Sequence, residues 1–389
     1  MPVTVAPESG DIDPTGDSRE CDRTGGGRQF DAVLFLSFGG PDGPDDVIPF
    51  LENVTRGRGV PRKRLEEVAQ HYLHFGGVSP INRLNLEMIE ALRGELDRRG
   101  RKGLPVFFGN RNWHPMIADT VTEMYDAGHR RILVFPTSAW GGYSGCRQYH
   151  EDIEHAVTEL TLRRPAAASS DPVLLRKLPQ YWDHPAMVAA GRDAVARAAA
   201  LLPPSSRPPR LVCTAHSVPS AADANSGPAA DGGRMYSYQV ARAAEMVARA
   251  AGFDDHDQVW QSRSGPPQVP WLSPDICDHL ETLAAQGITQ VIVYPVGFIS
   301  DHLEVIWDLD NEAADTARRL GMDYVRADTV GTDARFVALI ADLVDDHLVD
   351  DRYTGAANAP AGESPMGCGD NGAVCRDRCC VPVPRPTRS

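Results

Sequence analysis

Short apolar runs, each closed by a Gly- or Pro-containing turn, alternate along the chain with stretches of helical period. Residues 31–38 (DAVLFLSF) run into Gly39-Gly40-Pro41, residues 104–108 into Gly109-Asn110-Arg111-Asn112-Trp113-His114-Pro115, and residues 131–135 into Pro136-Thr137-Ser138. A short run that is apolar on both faces predicts a strand buried within a parallel sheet. Residues 44–54, 61–74 and 81–99 between them, and the stretch after His114-Pro115, read as helices. Strands and helices alternating in this way predict a doubly wound α/β unit.

The pattern restarts after the linker LLPPSSRPP at 201–209. A strand at 210–214 ends in Ala215-His216-Ser217, and a helix follows at 237–251. The strand at 258–261 ends in Ser262-Arg263-Ser264-Gly265-Pro266-Pro267; a helix at 274–285 leads to a strand at 289–294. Gly128 and Pro136 bracket one apolar strand, and Gly287 and Pro295 bracket another at the same separation. The expected architecture is two similar Rossmann-like halves whose parallel sheets face a central cleft. The expected divisions are a disordered head at 1–29, halves at 30–203 and 204–352, and a Cys-rich tail at 353–389.

Open parallel sheets bind ligands beyond the carboxyl ends of their strands. The unusual residues fall at those ends: Asn110, His114, Thr137, Ser138, His216, Arg263 and the turn at 295–304. That placement predicts a cleft with His216 opposite Glu304. Beyond the last strand, Glu304, Asp308 and Glu312 recur every fourth residue, which puts them on one helix face. Like charges at that spacing repel, so helix stability does not explain them. A carboxylate ladder suits a cation site or a proton path; a solvated acidic face has the same spacing, but His302 and Trp307 inside the segment argue against it.

Composition narrows the classes. A chain of 389 residues with 42% hydrophobic content has room for two domains. The net charge of −14 argues against a nucleic-acid partner, which needs a basic surface. No apolar run approaches the roughly 20 residues that span a bilayer, so no integral membrane segment is expected. The first 28 residues are acidic and Gly/Ser/Pro-rich, unlike a secretory signal or a transit peptide. A cytoplasmic monomer is the default expectation. No Walker-type loop or dinucleotide fingerprint appears, so the chemistry is expected to proceed without nucleotide. Cys213 and Cys277 read as small packing residues in a reducing compartment. The tail carries Cys368-x6-Cys375-x3-Cys379-Cys380 in a Pro/Gly/Ala-rich stretch that cannot build a core. Clustered cysteines in a cytosolic chain suggest metal rather than disulfides.

Taken together, the segments SFGGP, FGGVSP, NRNWHP, TAHS, QSRSGPPQVPW and GFISDHLEVIWDLD resemble those of ferrochelatases, which insert ferrous iron into a porphyrin. The resemblance covers roughly residues 30–350. The internal Cys and the Cys-rich tail are similar to soluble actinobacterial members, whose substrate is coproporphyrin III rather than protoporphyrin IX. The resemblance implies that His216 is the catalytic imidazole facing the ring; a neutral imidazole is both a metal ligand and a base near pH 7. It places Glu304 across the macrocycle, taking protons or passing iron, with Asp308 and Glu312 continuing an acidic relay; carboxylates hold hard cations through oxygen.

The resemblance also sets Arg56 and Arg58 near the porphyrin's propionates, which guanidinium groups pair well, with Ser79 adding a hydrogen bond. Trp140, Tyr143 and Trp307 would supply flat apolar walls. Phe38 stands where several soluble relatives have a Tyr, so that wall cannot ligate iron. Four thiolates are implied for a [2Fe–2S] cluster. Cys146, Cys368, Cys375 and Cys380 are the preferred set, with Cys379 the alternative; structural zinc or an unstructured thiol tail are the rivals. Porphyrin and Fe(II) are then the substrates. A cobalt or nickel chelatase and a non-catalytic tetrapyrrole or metal carrier are the competing readings.

Overall fold

The structure, a computed structural model, describes residues 29–57, 59–228, 232–265, 268–349 and 379–383. Strand β1 (Ala32–Ser37) is followed by α1 (Val47–Val54), α2 (Arg62–His74) and α3 (Ile81–Arg98). Then come β2 (Val106–Asn110), α4 (Ile117–Asp126), β3 (Arg131–Pro136), α5 (Gln148–Arg163), β4 (Leu174–Lys177) and α6 (Pro185–Ala199). The second series is β5 (Arg210–His216), α7 (Ser220–Ala224), α8 (Met235–Ala250), β6 (His256–Gln261), α9 (Ile276–Ala285) and β7 (Gln290–Tyr294). It ends with α10 (Leu303–Val305), a π-helical stretch Ile306–Ala313, α11 (Ala314–Arg319), β8 (Asp323–Arg326) and α12 (Ala334–His347).

The strands form two parallel four-stranded sheets, ordered β2-β1-β3-β4 and β6-β5-β7-β8. The same order twice explains the repeated Gly-to-Pro signature: its two copies are β3 and β7, each the third strand of its sheet and each paired with the first. β1, β5 and β7 are buried almost throughout, as two-sided packing requires. The edge strands β4 (LLRK) and β8 (DYVR) are short, charged and partly exposed. They carry no apolar run, so the hydrophobic pattern does not reveal them.

One apolar core joins the two sheets. Phe35, Phe135 and Tyr181 share it with Tyr294, Phe336 and Leu339. Helix α6 precedes the 201–209 linker, yet packs on β7, β8, α8 and α12; α12 in turn packs on α3 and β3. The outer faces have their own cores under α4 and α5 on the first sheet and under α9 and the 305–317 segment on the second. A separate cluster binds α1 and α2 to Leu303. Among the described residues no helix is long and apolar enough to cross a membrane.

Candidate active site

His216 is the last residue of β5, and the loop after β7 passes directly over that strand end. Gly297 makes this possible: a Cβ there would lie 2.5 Å from the Cβ of Ala215, and the Gly297 amide donates to the Thr214 carbonyl at 3.1 Å. The Trp140 indole, from the loop after β3, donates to the Gly297 carbonyl at 2.9 Å. The carboxyl ends of both sheets therefore meet at this loop.

The His216 ring is oriented by its own neighbours. Nδ1 lies 2.6 Å from the Ser217 carbonyl, which can only accept, so Nδ1 carries the proton and Nε2 is left for chemistry. Tyr236 donates its hydroxyl to the His216 carbonyl at 2.7 Å. Nε2 stands 3.5 Å from Glu304 Oε2, with the two side chains 38% and 43% exposed.

That distance corrects the sequence-based placement. His216 and Glu304 do not confront each other over a gap wide enough for a tetrapyrrole; at 3.5 Å no ring fits between them. β5 and β7 are adjacent strands of one sheet, so the extensions beyond their carboxyl ends emerge side by side. The two groups form one wall, open to solvent.

The electrostatics follow from this contact. Burial pushes the His216 imidazole down, but the Glu304 hydrogen bond and charge outweigh it, and the pKa ends above its ordinary value. Burial likewise pushes Glu304 up, yet His216 dominates and holds it at about 2. The contact favours the imidazolium–carboxylate form of the pair. Asp308 behaves oppositely. Burial drives it up to about 7, with the Ser262 hydrogen bond opposing and the Glu304 charge adding to the rise. Two carboxyls one helical turn apart are thus tuned to different tasks, one ionised and one poised near neutrality.

The ladder is helical as expected, but its centre is π-wound, a local geometry found often at functional sites. Glu304 is half-exposed at the inner end and Glu312 exposed at the outer end. Around Trp307, His71 stacks at 4.0 Å between ring centroids with an 8° interplanar angle, and His74 and Phe75 approach edge-on. His71 is missed by sequence reasoning because a His on an amphipathic helix gives no signal without its partner. His302 is held below its ordinary pKa by burial, although the Glu304 charge opposes this.

The remaining expected site residues are distributed as follows. Phe38 is 39% exposed at the end of β1, edge-on to Phe50, with the Arg111 guanidinium 5.9 Å from its ring centre. Ser79 is 3% exposed and lies beneath Gly40. Arg56 is exposed in the turn after α1; Arg58 lies outside the described residues. Tyr143 donates its hydroxyl to Glu151 at 3.0 Å. Trp140 is buried, tying the halves together rather than lining an open wall.

Cys146, Cys379 and Cys380 are buried; Cys368 and Cys375 lie outside the described residues. Arg147, next to Cys146, donates to the Cys379 carbonyl at 2.9 Å. The Gly227 amide donates to Cys380 Sγ at 3.1 Å. Among the described residues no three His, Cys, Asp or Glu side chains are arranged to hold a metal ion.

Residues 30–348 match the family model described as ferrochelatase. The chain is 61% identical over 358 residues to a protein named coproporphyrin III ferrochelatase from Nocardia farcinica, covering 92% of this chain and 98% of that one. It is 55% identical over 354 residues to a protein of the same name from Mycolicibacterium smegmatis, covering 90% and 99%. Among solved structures, SirB from Bacillus subtilis with Fe3+ matches at 12% identity and a TM-score of 0.45, covering 82% of this chain and 96% of that one. With a matching family model over most of its length and relatives above half identity along nearly all of theirs, the chain belongs to the ferrochelatase family.

Proposed function

We propose that the protein inserts Fe(II) into coproporphyrin III, releasing two protons, as a step of haem formation. The observation that carries this reading is the solvent-open His216–Glu304 pair with Asp308 and Glu312 behind it, in a chain 61% identical to a coproporphyrin III ferrochelatase. Fe(II) is a substrate here, received by the Glu304 carboxylate with His216 Nε2 beside it. The porphyrin lies over both groups, and Phe38 supplies an apolar surface from the first sheet. Arg56 and Arg58 answer the propionates at the rim, and Tyr143 adds a further wall.

The order of events follows from the charges. In its imidazolium form, which the Glu304 contact favours, His216 cannot take a pyrrole proton, so it acts as a base only after losing the proton on Nε2. A cation at Glu304 competes for the carboxylate that stabilises the imidazolium and thereby lowers the His216 pKa. Neutral Nε2 then takes the pyrrole protons in turn. Asp308, titrating near 7, accepts them and exposed Glu312 returns them to solvent.

The reading includes a [2Fe–2S] cluster held by Cys146, Cys368, Cys375 and Cys380. Its support is chemical: Cys380 sulfur accepts a backbone amide, as cluster thiolates do, while Cys379 engages Arg147 through its carbonyl. When bound, the cluster would supply a cross-link between tail and body.

The test is anaerobic, with purified protein and Fe(II) offered coproporphyrin III and protoporphyrin IX side by side. Faster metallation of coproporphyrin III is expected. Binding without metallation would establish a carrier instead, and preferred insertion of cobalt or nickel would reassign the metal.

A further inference from the structure

Asp308 is held by two consecutive residues of β6 and its turn. Gln261 Nε2 donates to Asp308 Oδ2 at 3.2 Å, and the Ser262 hydroxyl donates to the same oxygen. In a regular strand, consecutive side chains project to opposite faces. Here Ser262 adopts φ +61°, a left-handed conformation unfavourable for a residue with a Cβ. That turn brings both side chains onto one carboxylate.

Gln261 is also the register partner of His216 on the neighbouring strand, and its carbonyl accepts the Ser217 amide at 2.8 Å. Its side chain is fully buried. The amide oxygen accepts from the Thr214 hydroxyl at 3.2 Å, so its orientation is set from both ends. Thr214 lies two residues before His216. A continuous set of hydrogen bonds therefore runs from the strand that carries the imidazole to the second acid of the ladder.

We propose that Gln261 and Ser262 are positioning residues for metallation: they fix the Asp308 carboxylate relative to His216, so that proton transfer along the ladder starts from a set geometry. This rests on the reading of Glu304, Asp308 and Glu312 as a relay. Neither residue needs to touch porphyrin or iron. A backbone that leaves the favoured region to aim one hydroxyl at one acid is hard to account for by packing alone.

The test uses the full-length protein carrying Ser262→Gly. Glycine adopts φ +61° freely, so the change removes the hydroxyl and keeps the turn. Turnover with Fe(II) and coproporphyrin III is measured in the wild-type and Asp308→Asn backgrounds. A hydrogen bond to a charged group predicts a fall in kcat on the order of tenfold with the porphyrin KM unchanged. In the Asp308→Asn background Ser262→Gly should cause no further loss. The same fold loss in both backgrounds, an unchanged kcat, or a rise in KM alone would overturn the positioning role while leaving the relay in place. Full turnover by Asp308→Asn itself would sink the relay, and the positioning role with it.

Discussion

At the scale of single residues, the pair His216–Glu304 sets the behaviour with pH. A base must be neutral to work, and His216 titrates above its ordinary 6.5. Turnover is therefore expected to fall as pH drops through that raised pKa. Glu304→Gln removes the partner charge and leaves burial to push the imidazole down, so the His216 titration, followed by NMR of the ring protons, should move to lower pH. The same variant should lose most turnover and keep porphyrin binding nearly intact; equal loss of both would count against the assigned role. Stability has its own signature. The raised His216 pKa contributes fully below 6.5 and fades as pH rises through the folded value. The depressed Glu304 pKa contributes above 4.5 and fades as pH falls toward about 2. The urea-measured gap between wild type and Glu304→Gln should peak between 4.5 and 6.5.

At the scale of elements, the loop after β7 decides where the acids go. Gly297 lies against Ala215, and the segment it launches presents Glu304 to His216. Gly297→Ala forces a Cβ into occupied space. Overpacking of this kind costs about 1–3 kcal/mol, measurable by urea unfolding, and kcat should fall more than stability because the displaced element carries Glu304. Most of these elements are legible in the amino-acid order. β1, β3, β5 and β7 declare themselves because strands buried on both faces must be apolar on both. β4 and β8 do not, since each is only four residues long and half of them are charged, so neither makes an apolar run. The π-winding of Ile306–Ala313 is equally silent, because its carboxylate spacing keeps one face under either winding. The turn at Ser262 is silent too, as nothing local demands a left-handed serine.

At the scale of the whole molecule, the two sheets are not independent. α6 packs on the second sheet and α12 on α3, around a core shared by both. Unfolding followed by tryptophan fluorescence and by far-UV circular dichroism should therefore coincide in one transition; separated midpoints would show two cooperative units. The tail touches both series, through Arg147 for Cys379 and Gly227 for Cys380. With the proposed cluster, Cys380→Ser should abolish visible absorption and acid-labile sulfide, while Cys379→Ser keeps both. A colourless protein containing zinc would refute the cluster.

The order of amino acids by itself determined the βα alternation, its repetition, the strand ends that gather reactive residues and the family to which the chain belongs. These rest on local periodicity and contiguous motifs, which survive without knowledge of what packs on what. Only the tertiary structure decided that His216 and Glu304 stand on one wall rather than two. Strand order places β5 beside β7, and no local pattern encodes which strands become neighbours, because pairing is chosen by the burial of the whole sheet. The same holds for His71 against Trp307 and for Gln261 and Ser262 on Asp308, whose roles exist only once distant segments meet.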